Sequence, residues 1–195
     1  MGRSLRPRCF SSAMNENDMQ HGTDWNGSNL TGWYLTEKFD GCRAYWDGRT
    51  LWSRGGLVIN MPPDMRAALP SHALDCELYD GTDGRSRCAV AARWGRFTAS
   101  MRLVVFDAPD MNGDQLQRLA ACAVVGSERV SVAPLWVATS TRNAVARTRE
   151  IQARGGEGLV CSEPGRPYMR ARVRHLLKLK APGRAEHHPA PERRS

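Results

Sequence analysis

A short run, Thr36-Glu37-Lys38-Phe39-Asp40-Gly41-Cys42-Arg43, holds a lysine between two carboxylates and ends on an arginine. The Asp-Gly pair inside it favours a tight turn. Lysine is a nucleophile only as the neutral amine, and its ordinary pKa of about 10.4 disfavours that form at neutral pH. Burial and nearby cations lower the pKa of a lysine. The run also matches an ordinary solvated turn, so a nucleophilic Lys38 requires that the rest of the chain supply cations around it.

The segments around this run have the pattern of β-strands. Trp33–Phe39 and Cys42–Trp46 are predicted strands, and the turn Asp47-Gly48 leads to a return strand at Thr50–Ser53. Residues 1–30 are polar, with Gly22, Gly27 and several Asn and Ser, which predicts mostly irregular structure. The further predicted strands are Leu74–Tyr79, Met101–Phe106, Val130–Val132, Leu135–Val137, Gly158–Cys161 and Arg174–Lys180, and the predicted helices are Pro63–Leu69, Ser86–Trp94, Asp114–Val125 and Thr141–Arg154. This irregular order predicts an α+β fold with mainly antiparallel sheets rather than a doubly wound parallel sheet.

Length and composition predict one domain with polar ends. The chain has 195 residues, 41% of them hydrophobic, which is enough to bury a core. We expect an irregular leader at 1–23, a single domain at 24–181 and a basic disordered tail at 182–195. No apolar run reaches the length of a membrane-spanning helix, and the six cysteines are scattered without a Cys-x-x-Cys pair. We therefore expect a cytoplasmic monomer with free thiols and no membrane association.

The net charge of +8 points to anionic partners. Residues 164–185 carry seven arginines and lysines and no carboxylate. Such a run fits the phosphates of a nucleotide or of a nucleic acid, although a solvated face or a tail has the same composition. Within it, Leu176–Lys180 alternates apolar and basic residues, so Lys178 and Lys180 should lie on one face of a strand.

The pattern Lys38-x-Asp40-Gly41-x-Arg43 resembles that of the covalent nucleotidyltransferases, which include ATP-dependent DNA ligases, RNA ligases and mRNA capping enzymes. The longer run 32–48 is most similar to the short bacterial and viral ATP-dependent DNA ligases. The resemblance implies a nucleotidyltransferase (adenylation) domain of two mainly antiparallel sheets with flanking helices and the ATP site between them. It also implies that Lys38 attacks the α-phosphorus of ATP and keeps AMP as a phosphoramidate.

Further residues match motifs of this family in the same order. The resemblance implies that Asp40, Gly41 and Gly56 shape the site and that Glu77 and Glu157 hold Mg²⁺ or Mn²⁺. It assigns nucleotide contacts to Glu37, Arg43, Arg54, Glu77, Phe106, Arg172, Lys178 and Lys180. Two departures stand out: Cys76 replaces a family glycine, and Ala171 and Val173 replace small residues beside Arg172. Lys178 and Lys180 would supply the cations that a nucleophilic Lys38 requires.

The function implied by the resemblance is self-adenylylation at Lys38, transfer of AMP to a 5′-phosphate, and sealing of a nick in duplex DNA. The DNA would be bound through residues 164–185. The tail composition after Lys180 predicts no second, OB-type domain, so a partner protein could supply one. Two alternatives stay open: an RNA ligase, and a non-catalytic nucleotide-binding or nucleic-acid-binding module derived from a ligase.

Overall fold

The computed structural model describes residues 18–122 and 127–180, which form two five-stranded sheets. In chain order the elements are β1 His21–Asp24, β2 Tyr34–Lys38, β3 Cys42–Trp46, β4 Leu51–Ser53, α1 Pro63–Ala67, β5 Leu74–Tyr79, α2 Arg85–Trp94, β6 Arg102–Asp107, α3 Gln115–Ala121, β7 Val130–Val132, β8 Leu135–Val137, α4 Thr141–Ala153, β9 Gly158–Ser162 and β10 Arg172–Lys180. The first sheet has the order β1-β10-β9-β2-β8, and the second has the order β4-β3-β5-β6-β7. The two sheets come together at the residues between β2 and β3.

The run that opened the sequence analysis is the crossing between the sheets. Lys38 is the last residue of β2 in the first sheet, and Cys42 is the first residue of β3 in the second. Gly41 makes the crossing tight, since a Cβ there would lie 2.0 Å from the carbonyl oxygen of Leu78 on β5. Only glycine fits against a backbone at that distance.

Each sheet has its own hydrophobic core. The core of the first sheet includes Leu35 on β2, Ile151 on α4 and Leu159 on β9. The core of the second sheet is larger and includes Leu78 on β5 and Cys88 on α2. Burial of these apolar faces on the outer sides of the sheets leaves the polar faces of β2, β3, β5 and β10 directed toward the space between them.

The predicted α+β class with mainly antiparallel sheets is confirmed, because all neighbouring pairs are antiparallel except β1–β10 and β6–β7. The predicted strands and helices are found with small shifts at their ends. The helix predicted at Asp114–Val125 ends at Ala121, and residues 123–126 lie outside the described ranges. None of the helices described has both the length and the apolar character needed to cross a bilayer.

The prediction of irregular structure over residues 1–30 is wrong for His21–Asp24, which form β1 and pair in parallel with β10. The short, polar strand carries no apolar alternation, so its sequence gives no strand signal. It is held by close backbone contact, since a Cβ on Gly22 would lie 2.6 Å from the carbonyl oxygen of Leu176. Met19 is also fully buried, so the fold begins before residue 24. The remainder of the predicted leader (1–17) and the predicted tail (182–195) lie outside the described residues.

Candidate active site

A cleft of about 540 Å³ lies between the two sheets. It is bordered by the end of β2, the crossing to β3, the cleft-facing sides of β5 and β10, and one face of α2. Among the residues that line it are ten of those predicted from the sequence: Glu37, Lys38, Asp40, Gly41, Arg43, Arg54, Glu77, Phe106, Glu157 and Lys178. Residues separated by as many as 141 positions in the chain, Glu37 and Lys178, are thus brought to one place.

Lys38 lies at the centre of this group and contacts a carboxylate. Its side chain is 21% exposed, and its Nζ donates to Oε2 of Glu157 at 2.5 Å. Lys180 Nζ lies 3.1 Å from the other oxygen of the same carboxylate, Oε1. Glu157 therefore bridges the two ammonium groups across the end of the first sheet.

The lysines of β10 follow the predicted alternation. Leu177 and Leu179 are buried in the core of the first sheet, so Lys178 and Lys180 lie on the opposite face. Lys178 lines the cleft, and Lys180 reaches its edge through Glu157. Burial, followed by the nearby charge of Lys38, lowers the pKa of Lys178. The cations that a nucleophilic Lys38 requires are present, together with a carboxylate that balances part of their charge. The whole chain contains only these three lysines among its 28 basic residues, and all three meet here.

The carboxylates next to Lys38 are each paired with an arginine that the sequence did not reveal. Glu37 accepts from Arg154 at the end of α4 at 2.5 Å, and Asp40 accepts from Arg85 at the start of α2 at 3.0 Å. Both arginines are largely exposed, at 60% and 67% of the side chain. These two ion pairs fix the carboxylates on the two sides of the nucleophile candidate.

The floor of the cleft is a buried hydrogen-bond network around Asp75, which is fully buried. Arg43 donates to both oxygens of Asp75, at 2.9 and 2.6 Å, and to the carbonyl of Gln20 at 2.7 Å. The Tyr168 hydroxyl donates to Asp75 at 2.6 Å, and burial raises the pKa of Tyr168 well above its usual value. Arg43 also lies over the ring of Phe106, with 5.5 Å between its Cζ and the ring centroid. Arg43 and Phe106 therefore form one rigid surface beneath the cleft.

Sequence reasoning did not identify Asp75, although a signal was available. Asp75 and Glu77 are two residues apart on β5, so they must share the face of the strand that looks into the cleft. Gln20, which joins the network through its backbone and side chain, had no comparable signal in the sequence.

Glu77 lies beside the crossing and accepts from the backbone N–H of Gly41 at 3.0 Å. Burial raises the pKa of Glu77 to about 7. A carboxyl group that is partly protonated at neutral pH is a better hydrogen-bond partner for a hydroxyl group than a ligand for a cation. Cys76, the departure from the family pattern, is fully buried in the core of the second sheet and points away from the cleft, so it does not change the surface of the site.

Three further predicted residues lie at the rim of the cleft or outside its lining. Arg54 lines the rim with an exposed side chain, and Gly56 two residues later has φ +80°, a value that favours glycine. Arg172 does not line the cleft; its guanidinium donates to the carbonyl of Gly22 at 3.1 Å and ties β10 to β1.

Several solved structures share this fold. A Lig E DNA ligase superposes with a TM-score of 0.70 at 24% identity, covering 84% of this chain and 68% of that one. Chlorella virus DNA ligase-adenylate gives 0.69 at 16% identity, with coverage of 84% and 67%. The ATP-dependent DNA ligase of bacteriophage T7, in complex with ATP, gives 0.61 at 12% identity, with coverage of 84% and 68%.

A curated relative agrees with these structures. The DNA ligase of Haemophilus influenzae is 30% identical over 165 residues, which is 80% of this chain and 60% of that relative. This chain is similar in sequence to that DNA ligase, and it shares its fold with the solved DNA ligases. It spans about three fifths of the length of the Haemophilus ligase. No family model matches the sequence.

In this ligase fold, the donor set of the cleft fits a divalent cation that is held chiefly by its substrate. Among residues 18–122 and 127–180, no three His, Cys, Asp or Glu side chains form a metal cluster. Mg²⁺ in phosphoryl-transfer sites takes one or two carboxylates and completes its coordination with phosphates and water. Glu157 meets that requirement, because its carboxylate lies in the cleft and both oxygens already bind cationic groups.

Proposed function

We propose that this chain is the core of an ATP-dependent DNA ligase that adenylylates itself at Lys38. The observation that carries the proposal is the convergence of all three lysines with Glu157 at one end of a cleft large enough for a nucleotide. Arg43 and Phe106 form the floor of the same cleft. The relation to DNA ligases supports the choice of ATP and nicked DNA as substrates.

The first step is attack on the α-phosphorus of ATP. The Nζ of Lys38 forms a P–N bond, the bond from the α-phosphorus to the pyrophosphate oxygen breaks, and pyrophosphate leaves. The attacking nitrogen must lose its proton, and Oε2 of Glu157 is the acceptor in hydrogen-bond contact with it. Lys178 and Lys180 lie on the cleft face of β10, where their charges offset the negative charge of the phosphoryl oxygens.

The other residues bind and orient the nucleotide in this proposal. Phe106 stacks on the base, Glu77 binds a ribose hydroxyl and Arg54 at the rim contacts phosphate. Glu37 and Arg43 complete the nucleotide contacts, and Asp40 and Gly41 hold the crossing that presents Lys38. Mg²⁺ or Mn²⁺ held by Glu157 would neutralise phosphate charge when bound. Arg172 acts indirectly, since it anchors β1 to β10.

The later steps transfer AMP from Lys38 to the 5′-phosphate of a nick and then let the 3′-hydroxyl displace AMP. The first breaks the P–N bond and forms a pyrophosphate linkage, and the second forms the phosphodiester bond and releases AMP. Basic residues of 164–180 and the predicted basic tail would assist in binding DNA. A partner domain of OB type is a further proposal, in line with the length of chain that is shared with the relative.

The test is incubation of the purified chain with Mg²⁺ and α-labelled ATP, followed by a denaturing gel. We expect a labelled band for the wild type and none for Lys38→Arg. An Arg149→Lys variant is the matched control, because it adds an exposed lysine on α4 without touching the cleft. We expect the wild-type signal there, and peptide mapping should find AMP on Lys38 but not on the new lysine. A labelled Lys38→Arg band would contradict the assignment.

Addition of nicked duplex DNA to the labelled protein then shows which of the later steps this chain performs. Discharge of the label with sealed product assigns all three steps to this chain. An adduct that nicked DNA leaves intact assigns only the first step to it, and a partner domain would have to supply the rest. Absence of an adduct in the wild type would favour a binding module instead.

A further inference from the structure

The outer wall of the cleft is one face of helix α2, Arg85–Trp94. Arg85, Ala89, Ala92 and Arg93 line the cleft, a spacing that places them on the same side of the helix. Cys88 and Ala91, on the neighbouring flank of the helix, are fully buried in the core of the second sheet. The helix is therefore fixed along that flank and presents two arginines, separated by small alanines, to the cleft.

The helix that forms this wall is basic. α2 contains three arginines and no carboxylate. Two of them have carboxylate partners: Arg85 pairs with Asp40, and Arg87 pairs with Asp80. The third, Arg93, is exposed and lies over the ring of Trp94, with 5.2 Å between its Cζ and the ring centroid. The outer end of the wall therefore combines a positive charge with an aromatic surface.

The loop after β4 extends this surface on the other side of the rim. Leu57 is 54% exposed and Val58 is 48% exposed, while Trp94 is 66% exposed. The loop and the end of α2 are adjacent, because a Cβ on Gly95 would lie 3.8 Å from the carbonyl oxygen of Asn60. We call Leu57, Val58, Arg93 and Trp94 the rim patch. Exposed apolar residues on neighbouring segments of a rim are a feature of interaction sites.

Charge and position together identify the occupant. A tryptophan beside an arginine, with no carboxylate in the patch, matches the aromatic and basic surfaces on which nucleic-acid strands lie. The wall also leads to the reacting atoms, since Arg85 at its inner end is 3.0 Å from the carboxylate of Asp40. Arg93 is eight positions further along the helix, about 12 Å along the axis, which corresponds to roughly three or four nucleotide steps of a strand.

We infer that the rim patch binds the DNA strand whose 5′-phosphate enters the cleft. Arg93 contacts a backbone phosphate about three or four nucleotides from the nick, and Trp94 lies against a sugar or a base. The inference rests on the proposed ligase function and adds the path of the substrate strand to it.

The experiment measures binding of the full chain to a fluorescently labelled nicked duplex, without ATP, over a range of salt concentrations. For Trp94→Ala we expect affinity to fall roughly tenfold with an unchanged salt slope, because stacking releases no counterions. For Arg93→Ala we expect the slope of log K against log salt to become shallower by about 0.9, the value for one lost phosphate contact. Trp94→Phe should restore most of the affinity that Trp94→Ala loses.

Arg149→Ala is the matched control, because Arg149 is an exposed helical arginine on α4. We expect it to bind within about twofold of the wild type. All variants should keep the melting temperature of the wild type, since the changed side chains are exposed. Discharge of a preformed adduct by subsaturating nicked DNA should slow about tenfold in the Arg93→Ala/Trp94→Ala double variant.

Wild-type affinity and salt slope in the double variant would overturn the inference and leave the patch to a protein partner. Failure of the wild type to bind nicked duplex would overturn it as well. The result is separable from the proposed function, because DNA binding is measured without ATP. If the wild type formed no adduct while Trp94→Ala still lowered the affinity for DNA, the ligase function would be refuted and the DNA-binding surface would be supported.

Discussion

The two walls of the cleft hold their charges in opposite ways. On the wall from the first sheet, Lys38 and Lys180 share the carboxylate of Glu157, and all three side chains are 15–21% exposed. On the wall from the second sheet, Arg43 binds both oxygens of a fully buried Asp75. The Arg43 side chain is itself 19% exposed, so the difference lies in the carboxylates. Glu157 is partly exposed and can exchange partners, whereas Asp75 is sealed beneath Arg43 and Tyr168.

The difference in burial matches two different roles, one in the proposed reaction and one in holding the binding surface in place. Groups that must change partners during a reaction need low-cost alternatives, which a partly exposed ion pair offers. Groups that hold a binding surface in place need partners they do not leave, which a buried, bidentate pair provides. The run from Lys38 to Arg43 joins one arrangement to the other over a few residues.

The largest effect is expected for Asp75→Asn, which changes the buried ion pair of the second sheet. Removal of the buried carboxylate leaves the Arg43 guanidinium without its counter-ion, which costs about 3–5 kcal/mol of folding free energy. Chemical denaturation with urea measures the change. Asp64→Ala is the control, since its pair with Arg129 is exposed at 57% on the Asp64 side and should contribute less than about 1 kcal/mol. Equal losses for the two variants would show that the floor is not a structural network.

Glu157→Gln tests the opposite wall. We expect the rate of AMP adduct formation to fall about 100-fold, which corresponds to about 2.7 kcal/mol of activation free energy. The free energy of unfolding should change by only about 1 kcal/mol, since the partners of Glu157 are partly exposed. Single-turnover labelling and urea denaturation supply the two values. A large loss of stability with a normal labelling rate would reverse the roles given to the two walls.

Glu77 lies beside the crossing between the two sheets, and the pH dependence of stability tests its burial. The pKa of Glu77 is raised to about 7 by burial, so the folded protein keeps this proton between about pH 4.5 and 7 while the unfolded chain loses it. The stability of the wild type relative to Glu77→Gln should therefore fall as pH rises through that window, by about 3 kcal/mol, and change little above it. Urea denaturation at several pH values in EDTA measures this. A relative stability that rises with pH would contradict the assignment.

The smallest effect is expected for Arg154→Ala, which removes the partner of Glu37. Arg154 is 60% exposed, so the pair should contribute less than about 1 kcal/mol to stability. Adduct formation should fall by only about twofold to threefold, since Glu37 also stays in place through β2. Loss of activity comparable to that of Glu157→Gln would show that Glu37 depends on this arginine for its position.

The sequence was informative where function depends on local spacing. The Asp40-Gly41 pair predicted a tight turn at the place where the chain passes between the sheets, and period-two alternation placed Lys178 and Lys180 on one face. It was less informative where contacts join distant segments. β1 is short and polar and pairs with β10 through backbone contacts, so residues near 20 gave no sign that they belong to the fold.

The same limit applies to the ion pairs of the site. Arg154 and Glu37 are 117 positions apart, and Arg43 and Asp75 are 32 apart, so no local pattern could pair them. The side chains chosen from single motifs nevertheless lie at the cleft, because each motif is at a strand end or on a strand face that the two sheets direct toward it. Arg172 is the exception, since it lies on β10 but is turned toward Gly22.

The scarcity of lysine gives this chain an unusual response to amine chemistry. An acylating or reductively alkylating reagent would find no ε-amine outside the cleft, because the other 25 basic residues are arginines. Common procedures such as amine coupling to a sensor chip or amine-reactive dye labelling would therefore be directed either to the N-terminus or into the site itself. An amine-reactive probe therefore becomes a site-directed reagent. The decrease in labelling of each lysine in the presence of ATP would show which part of the cleft the nucleotide occupies.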